Sequence, residues 1–217
     1  MTTQYRLYGA LGSGSAIVEL MLAKAGVGYE TVEAAPWGDA AQRALLGQVN
    51  PLGQVPTLVT PSGTILTESA AIAFHIHDHF PASALLPPPA TPARDWCMRW
   101  LIFLVAAIYP SFTYGDEPSR WVDAGAAAEL RSRTDRWRQN LWRMVEAEAA
   151  IPWFLGDTSS AIDLYIAVMV EWRPRRAWFQ DNCPKLAAIA ERVASDPTFA
   201  AILDRHRAAA ASPLPGS

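Results

Sequence analysis

Up to about Phe80 the chain reads as short runs of alternating apolar and polar positions broken by glycine and proline. Beyond residue 91 the apolar positions recur at helical spacing and the alternation stops. Tyr5 to Tyr8 reads as a strand. A small-residue loop, Gly9-Ala10-Leu11-Gly12-Ser13-Gly14-Ser15, leads into a helix over Ala16 to Gly26 with the glycine as its stop. Tyr29 to Val32 reads as a second strand and Asp39 to Val49 as a weak helix. A turn signal at Asn50-Pro51-Leu52-Gly53 then runs into Val55-Pro56 and a short apolar strand. Ser62-Gly63 reverses the chain into a partner strand, Thr64 to Leu66. A helix follows over Glu68 to Phe80, with Thr67 as its expected N-cap.

In the second half, Pro81 to Thr91 is the clearest linker, because its three successive prolines neither continue a helix nor donate to a sheet. Arg94 to Ile108 reads as a helix bent or ended by Pro110, and Ala124 to Ala149 as a second, with Glu129 and Arg133 paired one turn apart. The arginines of that helix, Arg131, Arg133, Arg136 and Arg138, are scattered around it beside Asp135 and predict a solvated surface. Ser160 followed by Asp163 at the head of an apolar run is a capping-box arrangement with Asp in the usual Glu place. Further helices are expected over Lys185 to Ala194 and Pro197 to Arg207, with a frayed tail from Ala208. The expected division is residues 1–80, a linker over 81–91, and an all-helical domain over 92–217.

Composition narrows the classes. With 51% apolar residues the chain can bury a substantial core, and 18 basic against 21 acidic residues leave no nucleic-acid footprint. The most apolar run, Trp100 to Ile108, is short of the ~20 residues a bilayer span needs, and the amino terminus lacks a secretory pattern, so a cytoplasmic protein is expected. Cys97 and Cys183 are too far apart for a metal or disulfide framework. Of His75, His77 and His79 only the outer two share a helical face, and no metal site is expected. Gly12-x-Gly14 is not a dinucleotide fingerprint, since Ile17 stands where the third glycine belongs.

Two backbone features converge at the Val-Pro strand. Extended backbone at Val55, next to a proline that gives no N–H, can pair with an extended peptide. The helix opening at Glu68 offers unpaired N–H groups and the positive end of its dipole to a carboxylate. An edge for a peptide beside a seat for a carboxylate suits a small peptide.

Gln54-Val55-Pro56 followed by Glu68-Ser69 resembles the glutathione site of the soluble glutathione transferases, in a serine-type bacterial form. The resemblance implies a thioredoxin-like α/β amino-terminal domain (βαβαββα) followed by an all-α domain, the latter matched by the Ser160-x-x-Asp163 box. It implies a cis Val55–Pro56 bond, Val55 pairing with the cysteinyl backbone of glutathione, and Glu68-Ser69 holding its γ-glutamyl end. It further implies a homodimer.

A transferase must hold the glutathione sulfur as thiolate, against an ordinary thiol pKa of about 8.5. A hydroxyl and a helix N-terminus both favour the anion. Ser13 is the first choice for the hydroxyl, Ser15 the second, and Tyr8 at the strand end a third. Cysteine, which marks the disulfide-forming branches, is absent from the loop. The family's usual basic residue for the glycyl carboxylate is missing from Ala34 to Asp39, leaving Gln42, Arg43 or Gln54. Tyr109, Phe112, Tyr114 and Trp121, with Trp37 opposite, are expected to line an apolar wall between the domains. The implied function is conjugation of glutathione to an apolar electrophile in detoxification. The alternatives are a non-catalytic binding or interaction protein, or a glutathione-dependent isomerase or dehalogenase; the Ser-Ser-Cys loop of the maleylacetoacetate isomerase branch is absent.

Overall fold

The computed structural model describes residues 4–211. They form two compact units, one running to Leu85 and resuming at Arg192, the other spanning Leu86–Glu191.

The first unit is thioredoxin-like. Strands β1 (Tyr5–Gly9), β2 (Tyr29–Glu33), β3 (Thr57–Val59) and β4 (Ile65–Leu66) form one sheet in the order β2-β1-β3-β4. β1 and β2 are parallel, so the chain between them must cross over, and α1 (Ser15–Lys24) is that crossover. β3 pairs antiparallel with β1, and β4 antiparallel with β3. α1 is buried from Ser15 to Leu22, which explains why its sequence is apolar on every side. It stops at Gly26, whose φ of 65° lets its N–H reach the Ala23 carbonyl and that of Val27 reach Leu22. α2 (Ala40–Val49) is capped by Asp39, whose carboxylate accepts the Gln42 N–H. α3 (Ser69–His79) follows β4.

Residues 81–91 are less of a bare linker than their prolines predict. Pro81–Ser83 forms a 3-10 turn, and Leu85 and Leu86 are buried. Apolar side chains next to the prolines supply burial that the backbone pattern alone does not reveal.

The second unit is helical, with α4 (Pro92–Phe103), α5 (Tyr109–Asp116), α6 (Ala124–Glu148), α7 (Ala161–Met169) and α8 (Arg176–Asn182). Pro110 does not end the first of these. A π-helical turn over Leu104–Ile108 leads directly into α5, and Pro110 sits in its opening turn, where a missing N–H costs least. Pro92–Asp116 is thus 25 residues of continuous helix, long and apolar enough by composition to cross a membrane, rather than the short run the sequence predicts. Cys97, Trp100, Leu101, Leu104, Ile108 and Phe112 along it are buried, as in a core helix. Arg138 is a second correction. It is 1% exposed, not solvated, and binds Asp135 at 2.9 Å, the Ser111 hydroxyl at 2.8 Å and the Ser111 carbonyl at 3.0 Å.

α9 (Pro184–Ala194) precedes α10 (Pro197–Ala211). α10 groups with the first unit and packs on α1, although helical pattern places it with the other helices. It is also helical through Ala211, where fraying is expected from Ala208. The rest of that tail, and Met1 to Thr3, lie outside the described residues.

Candidate functional site

Three segments of the first unit carry the site residues. The loop after β1 turns at Gly12, whose φ of 77° suits glycine. Ser13 is half-buried, and its Oγ lies 2.6 Å from the Ala10 carbonyl and 2.9 Å from the Ser15 hydroxyl, while accepting the Ser15 N–H at 3.1 Å. Ser15, 1% exposed, opens α1 and accepts the Ala10 N–H at 3.2 Å. Gly9 is required here, since a Cβ on it would lie 2.8 Å from Ser15 Cβ and Oγ. Ser15 therefore holds the loop together from inside, and Ser13 is the hydroxyl on the accessible side. A serine has one proton to donate, and that of Ser13 already faces an acceptor within the loop.

The second segment is organised by Asn50, which sequence reasoning treated only as the start of a turn. Asn50 is 3% exposed, donates from Nδ2 to the Gln54 carbonyl at 2.9 Å and the Thr57 hydroxyl at 3.1 Å, and accepts the Leu52 N–H at 3.0 Å. Its side chain replaces the ladder bonds that a tight turn cannot make. The Val55–Pro56 bond is cis. β1 pairs with β3 only from Thr57 onward, so Val55 stands half-buried just before the ladder and Gln54 is exposed.

The third segment is the start of α3. Thr67 is not its N-cap. Glu68 occupies that place, with φ 62° and ψ 105°, and makes no side-chain capping bond. Glu68 is exposed, Ser69 half-buried, and the Glu68 carbonyl accepts the Ile72 N–H at 3.0 Å. A non-glycine residue at positive φ is held there against a cost of about 1–3 kcal/mol, and such residues cluster at functional sites.

Comparison with known proteins identifies this arrangement. Residues 3–78 match the glutathione S-transferase N-terminal domain. Over 203 residues the chain is 37% identical to the uncharacterized GST-like protein YncG of Escherichia coli K12, covering 93% of this chain and 98% of that one. The chain belongs to the glutathione S-transferase family. Among solved structures, a sphingomonad glutathione S-transferase complexed with glutathione is 27% identical with a TM-score of 0.75. The beta-class glutathione S-transferase of Sphingomonas chungbukensis is 26% identical, also at 0.75. Each comparison covers 93% of this chain and 98% of the other.

The other residues expected to act as in a glutathione transferase are placed as follows. Tyr8 is 7% exposed and packs with Ala34 and Leu46 on the sheet. Its ring belongs to the core of that unit. Phe112 is likewise buried in the helical unit, and Tyr109 is half-buried there. The Tyr109 ring meets Tyr165 and Trp172 edge-on, burial pushes its phenol well up, and the Arg138 guanidinium lies 3.8 Å above the Phe112 ring. Tyr114 and Trp121 do present surface, at 44% and 49% exposure, stacked edge-to-face with centroids 4.9 Å apart. Trp37, in the first unit, is 50% exposed. Arg43 on α2 is exposed and donates to the Gly38 carbonyl.

Burial pushes the Cys97 and Cys183 thiols up to about 12, which keeps both as inert thiols at neutral pH. His75 bonds Tyr5 through Nε2 at 3.0 Å, and its ring stacks 4.1 Å from His79. Among the described residues no three His, Cys, Asp or Glu side chains group as metal ligands.

Proposed function

We infer that the protein is a glutathione transferase that binds glutathione in its first unit and conjugates it to an apolar electrophile. The observation that carries this reading is the uncapped start of α3 at Glu68, a residue in a costly backbone conformation, beside unladdered backbone at Val55. The γ-glutamyl carboxylate sits on the α3 N-terminus, with Glu68 and Ser69 at the γ-glutamyl end, and the cysteinyl backbone pairs with Val55 after Gln54 and before Pro56. The sulfur then lies at the loop of Ser13, above the N-terminus of α1. Arg43 takes the glycyl carboxylate. In the reaction the thiolate attacks an electrophilic carbon, a C–S bond forms, and halide leaves with the bonding pair. Tyr114 in the second unit and Trp37 in the first each expose an aromatic face of the kind an apolar electrophile needs. The relatives named above support glutathione as co-substrate, and the family supports a cytoplasmic homodimer.

Calorimetric titration with glutathione and a conjugation assay with a chloronitrobenzene test the reading. Ser13→Ala is expected to lower kcat/KM by about tenfold or more while glutathione still binds, because it removes one charge-assisted hydrogen bond to the thiolate. Absence of binding heat at millimolar glutathione ends the reading.

A second reading, a glutathione-binding protein without transferase activity, draws on the engaged Ser13 proton, which must leave its acceptor in the loop before it can serve a thiolate. Binding with no conjugation of any electrophile tested, in wild type and Ser13→Ala alike, establishes it.

A further inference from the structure

α1 is buried all round and carries one ionisable group at its centre, Glu19, 3% exposed. A charge there requires partners. Arg205 on α10 pairs with Glu19 Oε2, the Tyr29 hydroxyl donates to the same oxygen at 3.2 Å, and His206 Nε2 lies 2.7 Å from Oε1. The other face of the His206 ring is directed at the thiol loop, where the Gly12 N–H donates to Nδ1 at 3.0 Å. A main-chain N–H can only donate. Nδ1 must therefore be bare, which assigns the proton to Nε2, facing Glu19. His206 is 6% exposed and thus holds this geometry inside the fold.

We propose that His206 is a positioning residue for the glutathione thiol loop: its neutral imidazole, oriented by Glu19, ties Gly12 to α10 and so fixes where Ser13, the next residue, stands. The inference rests on the glutathione reading above and adds a residue 193 positions from Ser13 in the chain to the machinery of the site. An imidazolium carries hydrogen on both nitrogens, so protonation sets an N–H of His206 against that of Gly12 and breaks the tie.

The charged and titratable groups facing His206 are Glu19 from α1, Glu33 and Tyr29 from β2, and Arg205 on its own helix. Partial desolvation raises the Glu33 carboxyl, while the nearby Leu11 N–H and His206 lower it. A cavity of about 150 Å³ beside Leu11, Glu19, Glu33 and Arg205 brings solvent to the network.

The test titrates glutathione calorimetrically into the full chain between about pH 7.5 and about pH 5, where histidine takes up its proton. Wild-type affinity is expected to fall about fivefold or more across that range. His206→Asn, which keeps an acceptor near Nδ1 and has no titrating group, is expected to lose the slope, whatever its affinity at the upper pH. His206→Leu, of similar bulk without an acceptor, is expected to bind about fivefold more weakly at every pH. The Gly12 amide resonance should shift with pH in wild type and stay fixed in His206→Asn. If His206→Leu does not fold, the comparison of wild type with His206→Asn decides alone. A pH slope shared by His206→Asn, or a flat wild-type profile, overturns the proposal and leaves the glutathione reading intact. No wild-type binding at the upper pH overturns both.

Discussion

In the proposed function Glu68 concentrates the conflict between folding and binding in one residue. Its φ of 62° costs the chain free energy, and its side chain forms no cap that offsets the cost. Glycine is at ease in that region, so Glu68→Gly should raise stability by about 1 kcal/mol once the greater freedom of the unfolded chain is subtracted. The same change should weaken glutathione binding. Thermal melting and calorimetry on one sample check both, and a variant gaining neither stability nor losing affinity contradicts the assignment. Residue type made Glu68-Ser69 and Ser13 candidates in the sequence, because helix starts and small-residue loops have recognisable chemistry. Asn50 and Glu19 were not legible as organisers. Nothing along the chain shows that Asn50 would fold back onto Thr57, or that Glu19 would meet a helix from the other end of the protein.

At the scale of elements, caps and stops follow sequence closely. Ser160 and Asp163 form the capping box, and Asp163 does more than the motif requires. Fully buried, it accepts the N–H groups of Ser160 at 2.7 Å and Phe154 at 2.8 Å, together with the Ser160 hydroxyl at 3.1 Å. Burial raises its carboxyl, and these donors counter that. Asp163→Ala strips a cap and strands two buried N–H donors and a hydroxyl, and should cost about 3 kcal/mol in urea unfolding. A loss below about 1 kcal/mol would show that water replaces the carboxylate. The helix through Pro110 is the opposite case. A proline predicts a break from local rules alone, whereas packing of Trp100, Leu104, Ile108 and Phe112 favours a π-helical turn that carries the helix past it.

For the whole molecule, the buried acids with raised pKa values set the alkaline limit. Cys97 and Cys183 are pushed to about 12 by burial, and Tyr29 to about 12 by burial and the nearby Glu19 charge. In the unfolded chain these groups lose their protons near about 8.5 and 10. Between those values and about 12 the folded state binds more protons, so stability is full below the lower values and declines as pH rises toward the upper. Denaturant midpoints should fall steadily from about pH 9 upward, and Cys97→Ala should flatten the slope. An unchanged slope would mean that other groups carry the alkaline transition.

The sequence by itself determined the local elements: the alternating strands, the Val-Pro turn, the start of α3 and the capping box of α7. Each follows from interactions among residues a few positions apart, which backbone sterics and periodicity report directly. Tertiary structure alone decided that α10 packs with the first unit, that Arg138 and Phe112 are buried, and that His206 meets Gly12. Those outcomes depend on which buried polar groups find partners when distant segments come together, and composition and spacing along one chain do not encode that meeting.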